Sequence, residues 1–252
     1  MKRGEAQHEA YSIPTIAPLY PSIPYEYDTE GILIGYEITS EVADDVLPAP
    51  FEVPDAPQCM LWNVTHYRSS GLGSYNELIV SVTADYDGET VSYSPYMFLD
   101  EEVPICAGRE IWGYPKKQAA IEIEGDRNMH TARHQRGGVT VLEAIMQQKR
   151  YVEPDDMPIG IPESKLAAWK RIPSAPQDEP PAVDRIVMGL LRDIDVRWVM
   201  EGPAEVDFGN SAPDPLSVFE PVDDPTGYYF DMSWVLDTAE EGVVHTFDEY
   251  RP

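Results

Sequence analysis

Hydrophobic and polar positions alternate through much of this chain with a period near two. CMLWNVTHY (59–67), NELIVSVTADY (76–86), VSYSPYMFL (91–99), QAAIEIE (118–124) and VTVLEAIMQQ (139–148) carry β-branched and aromatic residues in partial alternation. They predict strands. Residues 32–38 read as another strand. GLGS (71–74) and DYDGE (85–89) are turns between strands.

Helical signals are few. SEVADDVLP (40–48) predicts a short helix with Ser40 as N-cap and Pro48 as stop. EEVPICAGREIW (101–112) predicts a helix interrupted near Pro104 and ended by Gly113 and Pro115. The proline- and acid-rich stretch 154–182 reads as a long connection with a short helix around ESKLAAWK (163–170). Beyond it the chain resumes with RIVMGLLRDIDVRWVMEG, AEVDFG and a final segment, YYFDMSWVLDTAEEGVVHTFDEY. The expected architecture is one β-rich domain, residues 28–252, with a curved or closed sheet and a few helices. Residues 1–27 precede it as an arm. Its segment YSIPTIAPLYPSIPYEY (11–27) holds four prolines and four tyrosines, so it is expected to be extended, with sparse backbone donors and adhesive aromatic faces.

Composition narrows the picture. With 252 residues, 42% of them apolar, the chain can bury a large core. Its formal charge of −27 repels phosphate backbones and anionic lipid, so neither nucleic acid nor membrane is an expected partner. The N-terminal MKRGEAQHEAYSIP has basic residues but no apolar run after them. A cytoplasmic protein is therefore expected. Cys59 and Cys106 sit among apolar neighbours and read as reduced, buried thiols. His130 and His134 are four apart in a region of strand and turn with no third ligand nearby. No metal is expected there. GLGS does not fit a phosphate loop, and no dinucleotide motif accompanies it.

The candidate chemistry lies in GREIWGYPKKQA (108–119), which holds two of the chain's six lysines side by side. A neutral lysine amine attacks a ketone to form an iminium, an electron sink for decarboxylation, aldol chemistry or dehydration. At a reference pKa of about 10.4, roughly one amine in 2,500 is neutral at pH 7. A shift to about 7 frees half of them, for about 4.6 kcal/mol of differential stabilisation. Ile111, Trp112 and Tyr114 can exclude water, so desolvation is the expected main cause, with the neighbouring cation a lesser one. Pro115 starts an extended segment. Alternation then sends Lys116 and Lys117 to opposite faces, Lys117 with Ala119, Ile121 and Ile123, Lys116 with Gln118 and Ala120. The competing reading is a solvated lysine pair at a sheet edge.

GREIWGYPKK closely resembles the signature of the acetoacetate decarboxylase family: Gly-Arg-Glu, a few residues, then aromatic-Pro-Lys-Lys. GLGSYNE (71–77), YMFLDEE (96–102), VLPAPFEV (46–53), EGPAEVDF (201–208) and a closing strand and helix fit the same pattern. The resemblance implies a β-rich α+β fold: a cone-like closed antiparallel sheet, or double-sheet barrel, with a few peripheral helices. It also implies a homo-oligomer. By resemblance Lys116 is the Schiff-base nucleophile, Lys117 the residue that tunes it, and Glu77, 39 residues before Lys116, an acid/base. Gln118, Tyr114, Trp62, Tyr93 and Met97 are the expected substrate-binding residues, with Tyr250 a further candidate for proton transfer. Arg109 and Glu110 read as a structural pair at the helix. The cofactor is none, since the covalent iminium on Lys116 does the chemistry. The partner is a small keto acid or ketone.

Two positions depart from the family pattern. Decarboxylases of the family carry an arginine before the first strand, where Thr29 stands here, and a second glutamate where Trp62 stands. The implied activity is a Schiff-base lyase that decarboxylates a β-keto acid. The alternatives are an aldolase-dehydratase acting on a 2-keto acid and an aldehyde through the same lysine, or a non-catalytic ligand-binding relative.

Overall fold

The computed structural model describes residues 11–159, 163–176 and 178–247. Strands dominate it. They are β1 (Tyr25–Glu37), β2 (Gln58–Ser69), β3 (Tyr75–Tyr86), β4 (Glu89–Leu99), β5 (Lys116–Gln118), β6 (Ala120–Asp126), β7 (Met129–Arg136), β8 (Val139–Gln147), β9 (Arg150–Tyr151), β10 (Ser164–Ile172), β11 (Val183–Phe208) and β12 (Thr226–Thr246). Two α-helices accompany them among the described residues, α1 (Ser40–Val46) and α2 (Glu102–Ile111).

The strand order β10-β4-β3-β2-β1-β12-β11 closes on itself, because β10 also pairs with β11. The closed, β-rich sheet with few helices agrees with expectation. One pairing departs from it. The β10–β4 contact that completes the ring is parallel, while the other six are antiparallel. The far end of β11 leaves the ring and pairs with β8, which continues through β7 to β6 as a second sheet. β1 is therefore buried on both faces. Leu33 faces the ring interior, and Ile32 and Ile34 face the layer between the two sheets. This explains why ILI at 32–34 reads as an unbroken apolar run.

Several local expectations change. ESKLAAWK forms β10, not a helix. Ala167 and Ala168 are both fully buried, in different cores, because β10 is wedged between β4 and β11. Their small side chains fit that double burial, and ring closure overrides their helix preference. The segments at 185–202 and 204–209 belong to one 26-residue strand, β11, up to Phe208. The final segment is a 21-residue strand through Thr246, with no helix among the described residues. α1 is capped one residue earlier than expected: Thr39 Oγ1 accepts from the Val42 N–H at 3.2 Å. α2 runs unbroken through Pro104. That proline falls in the first turn, where its missing N–H has no intrahelical acceptor to lose. None of these helices is long and apolar enough to cross a membrane.

Residues 11–24 lead into β1 across the chain's own surface. Ser12 Oγ donates to the Tyr20 carbonyl at 3.2 Å, and the buried Tyr20 hydroxyl donates to Glu110. Arg109 and Glu110 thus have separate partners. Arg109 Nη1 donates to the Lys116 carbonyl at 3.2 Å.

Candidate active site

Alternation builds the site. On the inner face of the ring stand Tyr27 and Thr29 of β1, Trp62, Val64 and His66 of β2, Glu77 and Ile79 of β3, and Met232, Trp234 and Leu236 of β12. They line an inner cavity of about 60 Å³. By volume that is room for roughly four or five waters, which suits a small substrate.

Lys116 enters through a chain reversal. α2 ends at Ile111, and the N–H groups of Trp112, Gly113 and Tyr114 all point to the Gly108 carbonyl, at 3.2, 3.1 and 3.1 Å. Gly113 takes φ +82°, a conformation that glycine adopts without strain. Lys170, buried on β10, donates to the last carbonyls of the helix, Glu110 at 2.5 Å and Ile111 at 3.0 Å. The reversal delivers β5 alongside β4 in parallel, with Lys116 beside Met97.

Lys116 is 7% exposed and Glu77 2%. Their charged ends meet, Lys116 Nζ lying 3.1 Å from Glu77 Oε1. That oxygen accepts no aligned hydrogen bond beyond this contact, so it is free to face a reacting group. Nζ also lies 5.9 Å from the ring centres of both Tyr75 and Tyr114. Glu77 Oε2 is 3.2 Å from His66 Nε2. Burial raises the pKa of Glu77, but the Lys116 ammonium and the His66 hydrogen bond outweigh it and hold the carboxyl below its usual range. Burial pushes the His66 imidazole down. It pushes the Tyr27, Tyr75 and Tyr114 phenols up, so they stay protonated at neutral pH.

Lys117 turns the other way, as alternation requires. Its Nζ lies 2.7 Å from Oδ1 of the buried Asp214, whose Oδ2 receives Arg136 Nε at 2.8 Å. Its ring contact is Tyr96, packed against the inter-sheet core. The second lysine thus spends its charge on Asp214, outside the cavity.

Among the other expected substrate-binding residues, Trp62, Met97 and Tyr114 line the cavity. Gln118 and Tyr93 do not. Gln118 is exposed, because β5 ends there and the chain turns into β6, and its carbonyl receives Arg136 Nη1 at 2.7 Å. Tyr93 packs against Phe51 in a separate core beside Ala84 and Ala167. Tyr250 lies outside the described residues. His130 stacks on Tyr229, while His134 is bonded to Asn63 at 2.7 Å. Among the described residues no group of three or more His, Cys, Asp or Glu could hold a metal ion.

His66 has no place in the sequence-based set. The signal was present: it is two and four residues from Val64 and Trp62, on the same strand face. What alternation could not give is the bulge at Asp28/Thr29, which sets Thr29 opposite His66.

The chain is thus of the class whose closed ring of sheet encloses an apolar cavity lined by a buried lysine–carboxylate pair. The acetoacetate decarboxylase (ADC) family profile matches residues 12–243, and the chain belongs to that family. It is 31% identical over 205 residues to acetoacetate decarboxylase 1 of Bradyrhizobium diazoefficiens, covering 81% of each chain. It is 30% identical over 241 residues to acetoacetate decarboxylase 3 of Mesorhizobium japonicum, covering 94% of this chain and 91% of that one. The fold matches the crystal structure of acetoacetate decarboxylase from Legionella pneumophila with TM-score 0.83, 25% identity and 94% coverage of both chains. The enduracididine biosynthesis enzyme MppR, solved with the condensation product of pyruvate and imidazole 4-carboxaldehyde, shares the fold at TM-score 0.76 and 18% identity, over 90% of this chain and 94% of that one.

Proposed function

We propose that this protein is a Schiff-base lyase that decarboxylates a small β-keto acid at Lys116. The reading rests on one observation above all. Lys116, the only lysine or arginine among the described residues lining the cavity, is buried with its Nζ 3.1 Å from Glu77 Oε1.

Glu77 Oε1 takes a proton from the Lys116 ammonium, and the free amine attacks the ketone carbon. Glu77 returns the proton to the departing hydroxyl, so water leaves and an iminium forms. The pair of electrons binding the carboxylate carbon moves into the iminium, releasing CO2 and leaving an enamine. Protonation of the enamine carbon and hydrolysis of the iminium free the ketone and restore the amine. The sum consumes one keto acid anion and one proton and yields one ketone and one CO2. The apolar walls favour the step in which the charge disperses.

A second reading, an aldolase-dehydratase acting on a 2-keto acid and an aldehyde, is favoured by Thr29 and Trp62 at the positions where the family pattern has arginine and glutamate. One experiment separates the two. The protein is incubated with acetoacetate or with pyruvate, reduced with borohydride, and the adduct is mapped by peptide mass spectrometry, with Lys116→Ala as control. CO2 release is measured in parallel. An acetoacetate adduct on Lys116 with CO2 release supports the lyase. A pyruvate adduct without CO2, followed by condensation with an aldehyde, replaces it with the aldolase. No adduct with either compound removes the iminium reading for substrates of this size.

A further inference from the structure

His66 stands in an ordered line of hydrogen bonds that runs into the reacting pair. Trp234 Nε1 lies 2.9 Å from Thr29 Oγ1. Thr29 Oγ1 lies 2.8 Å from His66 Nδ1, and His66 Nε2 lies 3.2 Å from Glu77 Oε2. Every member is buried. Aromatic rings fix the imidazole from several sides: Tyr75 at 4.6 Å, Tyr27 at 5.0 Å and Trp234 at 5.9 Å between ring centres. Tyr27 itself is stacked on Trp234 at 4.4 Å.

Counting hydrogens gives the line a direction. An indole nitrogen only donates, and an ionised carboxylate only accepts. Trp234 therefore donates to Thr29, and His66 Nε2 donates to Glu77. In a neutral imidazole Nδ1 is then bare and accepts the Thr29 hydroxyl. Each of the three donors has one acceptor. A doubly protonated imidazole would make Nδ1 a second donor to Thr29, whose own hydrogen would have no partner inside the protein. Burial of the ring favours the same neutral form.

We propose that His66 is a positioning residue that occupies Glu77 Oε2, so that Glu77 exchanges protons with Lys116 through Oε1 alone, and that Thr29 and Trp234 hold His66 in the tautomer that does this. The position where the family pattern has an arginine is thus used here to orient the general acid/base from behind. The catalytic meaning of this assignment rests on the lyase reading above, but the hydrogen-bond arrangement does not. Other groups that act on His66 and Glu77 are the Lys116 ammonium, the phenols of Tyr27, Tyr75 and Tyr114, and Asp100, which is tied to Asn76 by two bonds of 2.8 Å.

The test uses the full chain labelled with ¹⁵N and ¹³C, as wild type, His66→Phe, His66→Gln and Thr29→Val. Imidazole ¹⁵N shifts should show His66 as the neutral Nε2–H tautomer at neutral pH. Thr29→Val should move the Nδ1 resonance. The carboxyl titration of Glu77 should rise in His66→Phe, because the hydrogen bond that favours its ionised form is lost. It should return toward wild type in His66→Gln, whose amide can still donate. An Nδ1–H tautomer, or an unmoved Glu77 titration in a folded His66→Phe, overturns the proposal. If His66→Phe does not fold, the wild-type tautomer and the Thr29→Val shift decide. Borohydride trapping on the wild type keeps the two readings apart. Trapping without any of these NMR effects overturns the role of His66 alone, while the NMR effects without trapping overturn the lyase reading alone.

Discussion

Gly108 of α2 lies directly against the stem of Lys116. A methyl group placed on Gly108 would fall 2.5 Å from Lys116 Cε and 2.6 Å from Cδ. The glycine that opens the GRE motif is therefore the space into which the Lys116 side chain lies, and its carbonyl also anchors the chain reversal that leads to that lysine. Two motif residues eight positions apart answer to one packing constraint.

Gly108→Ala separates reactivity from stability. Alanine is favoured over glycine in a helix by about 1 kcal/mol, which offsets much of the steric cost, because the lysine stem can swing. The swing takes Nζ away from Glu77. A displacement of about 1 Å costs roughly 100-fold in reaction rate. The expected outcome is a melting temperature within a few degrees of wild type and borohydride trapping slowed by about two orders of magnitude. Equal trapping rates would show that the lysine stem is not confined by the helix.

Glu77→Gln keeps the shape of the side chain and removes its proton chemistry. Loss of a general acid/base typically lowers the rate by about 10² to 10⁴. CO2 release from acetoacetate should fall in that range. The acid limb of the wild-type profile should lie below the ordinary glutamate value of about 4.3, since Lys116 and His66 together hold Glu77 down against its burial.

Asp214→Asn tests the separate role of Lys117. Asp214 is fully buried between Lys117 and Arg136, which are both partly exposed. Removing one partner of a buried ion pair costs about 3–5 kcal/mol, and the lower end is expected because both cations keep contact with water. Denaturant midpoints should drop accordingly. Lys116 should still be trapped wherever the variant is folded, because Lys117 points away from the cavity.

Acid should destabilise the protein well above the carboxylate range. Burial pushes the pKa of His134 down to about 3, and burial lowers His66 in the same direction. A depressed folded-state value means that the unfolded chain binds more protons below pH 6.5. The full stability is present above that pH and is lost as pH falls. For His134 alone the loss between pH 7 and pH 5 is about 2 kcal/mol. Urea midpoints measured at pH 7 and pH 5 should show it. His134→Gln, which keeps a donor for Asn63, should remove that share of the slope.

The strands of β2, β3 and β4 and the opposed directions of Lys116 and Lys117 were legible in the chain, because alternation is a local property of extended backbone. The family was legible in GREIWGYPKK, where helix end, turn and lysine must follow in fixed order. What stayed hidden depends on distant partners. β10 looked helical because nothing in ESKLAAWK reveals that it sits between β4 and β11. Gln118 shares the alternation of Lys116 yet is exposed, because β5 stops after three residues. The line from Trp234 to Glu77 joins residues 234, 29, 66 and 77, and the bulge that lets Thr29 meet His66 leaves no mark in composition. The sequence by itself determined a β-rich chain carrying a lysine signature. The family resemblance already singled out Lys116 and Glu77; only the tertiary structure decided that their charged ends meet in a buried pair, that Lys117 turns to Asp214 and that His66 holds the carboxylate, since hydrogen bonds and burial are set by strand register across the ring.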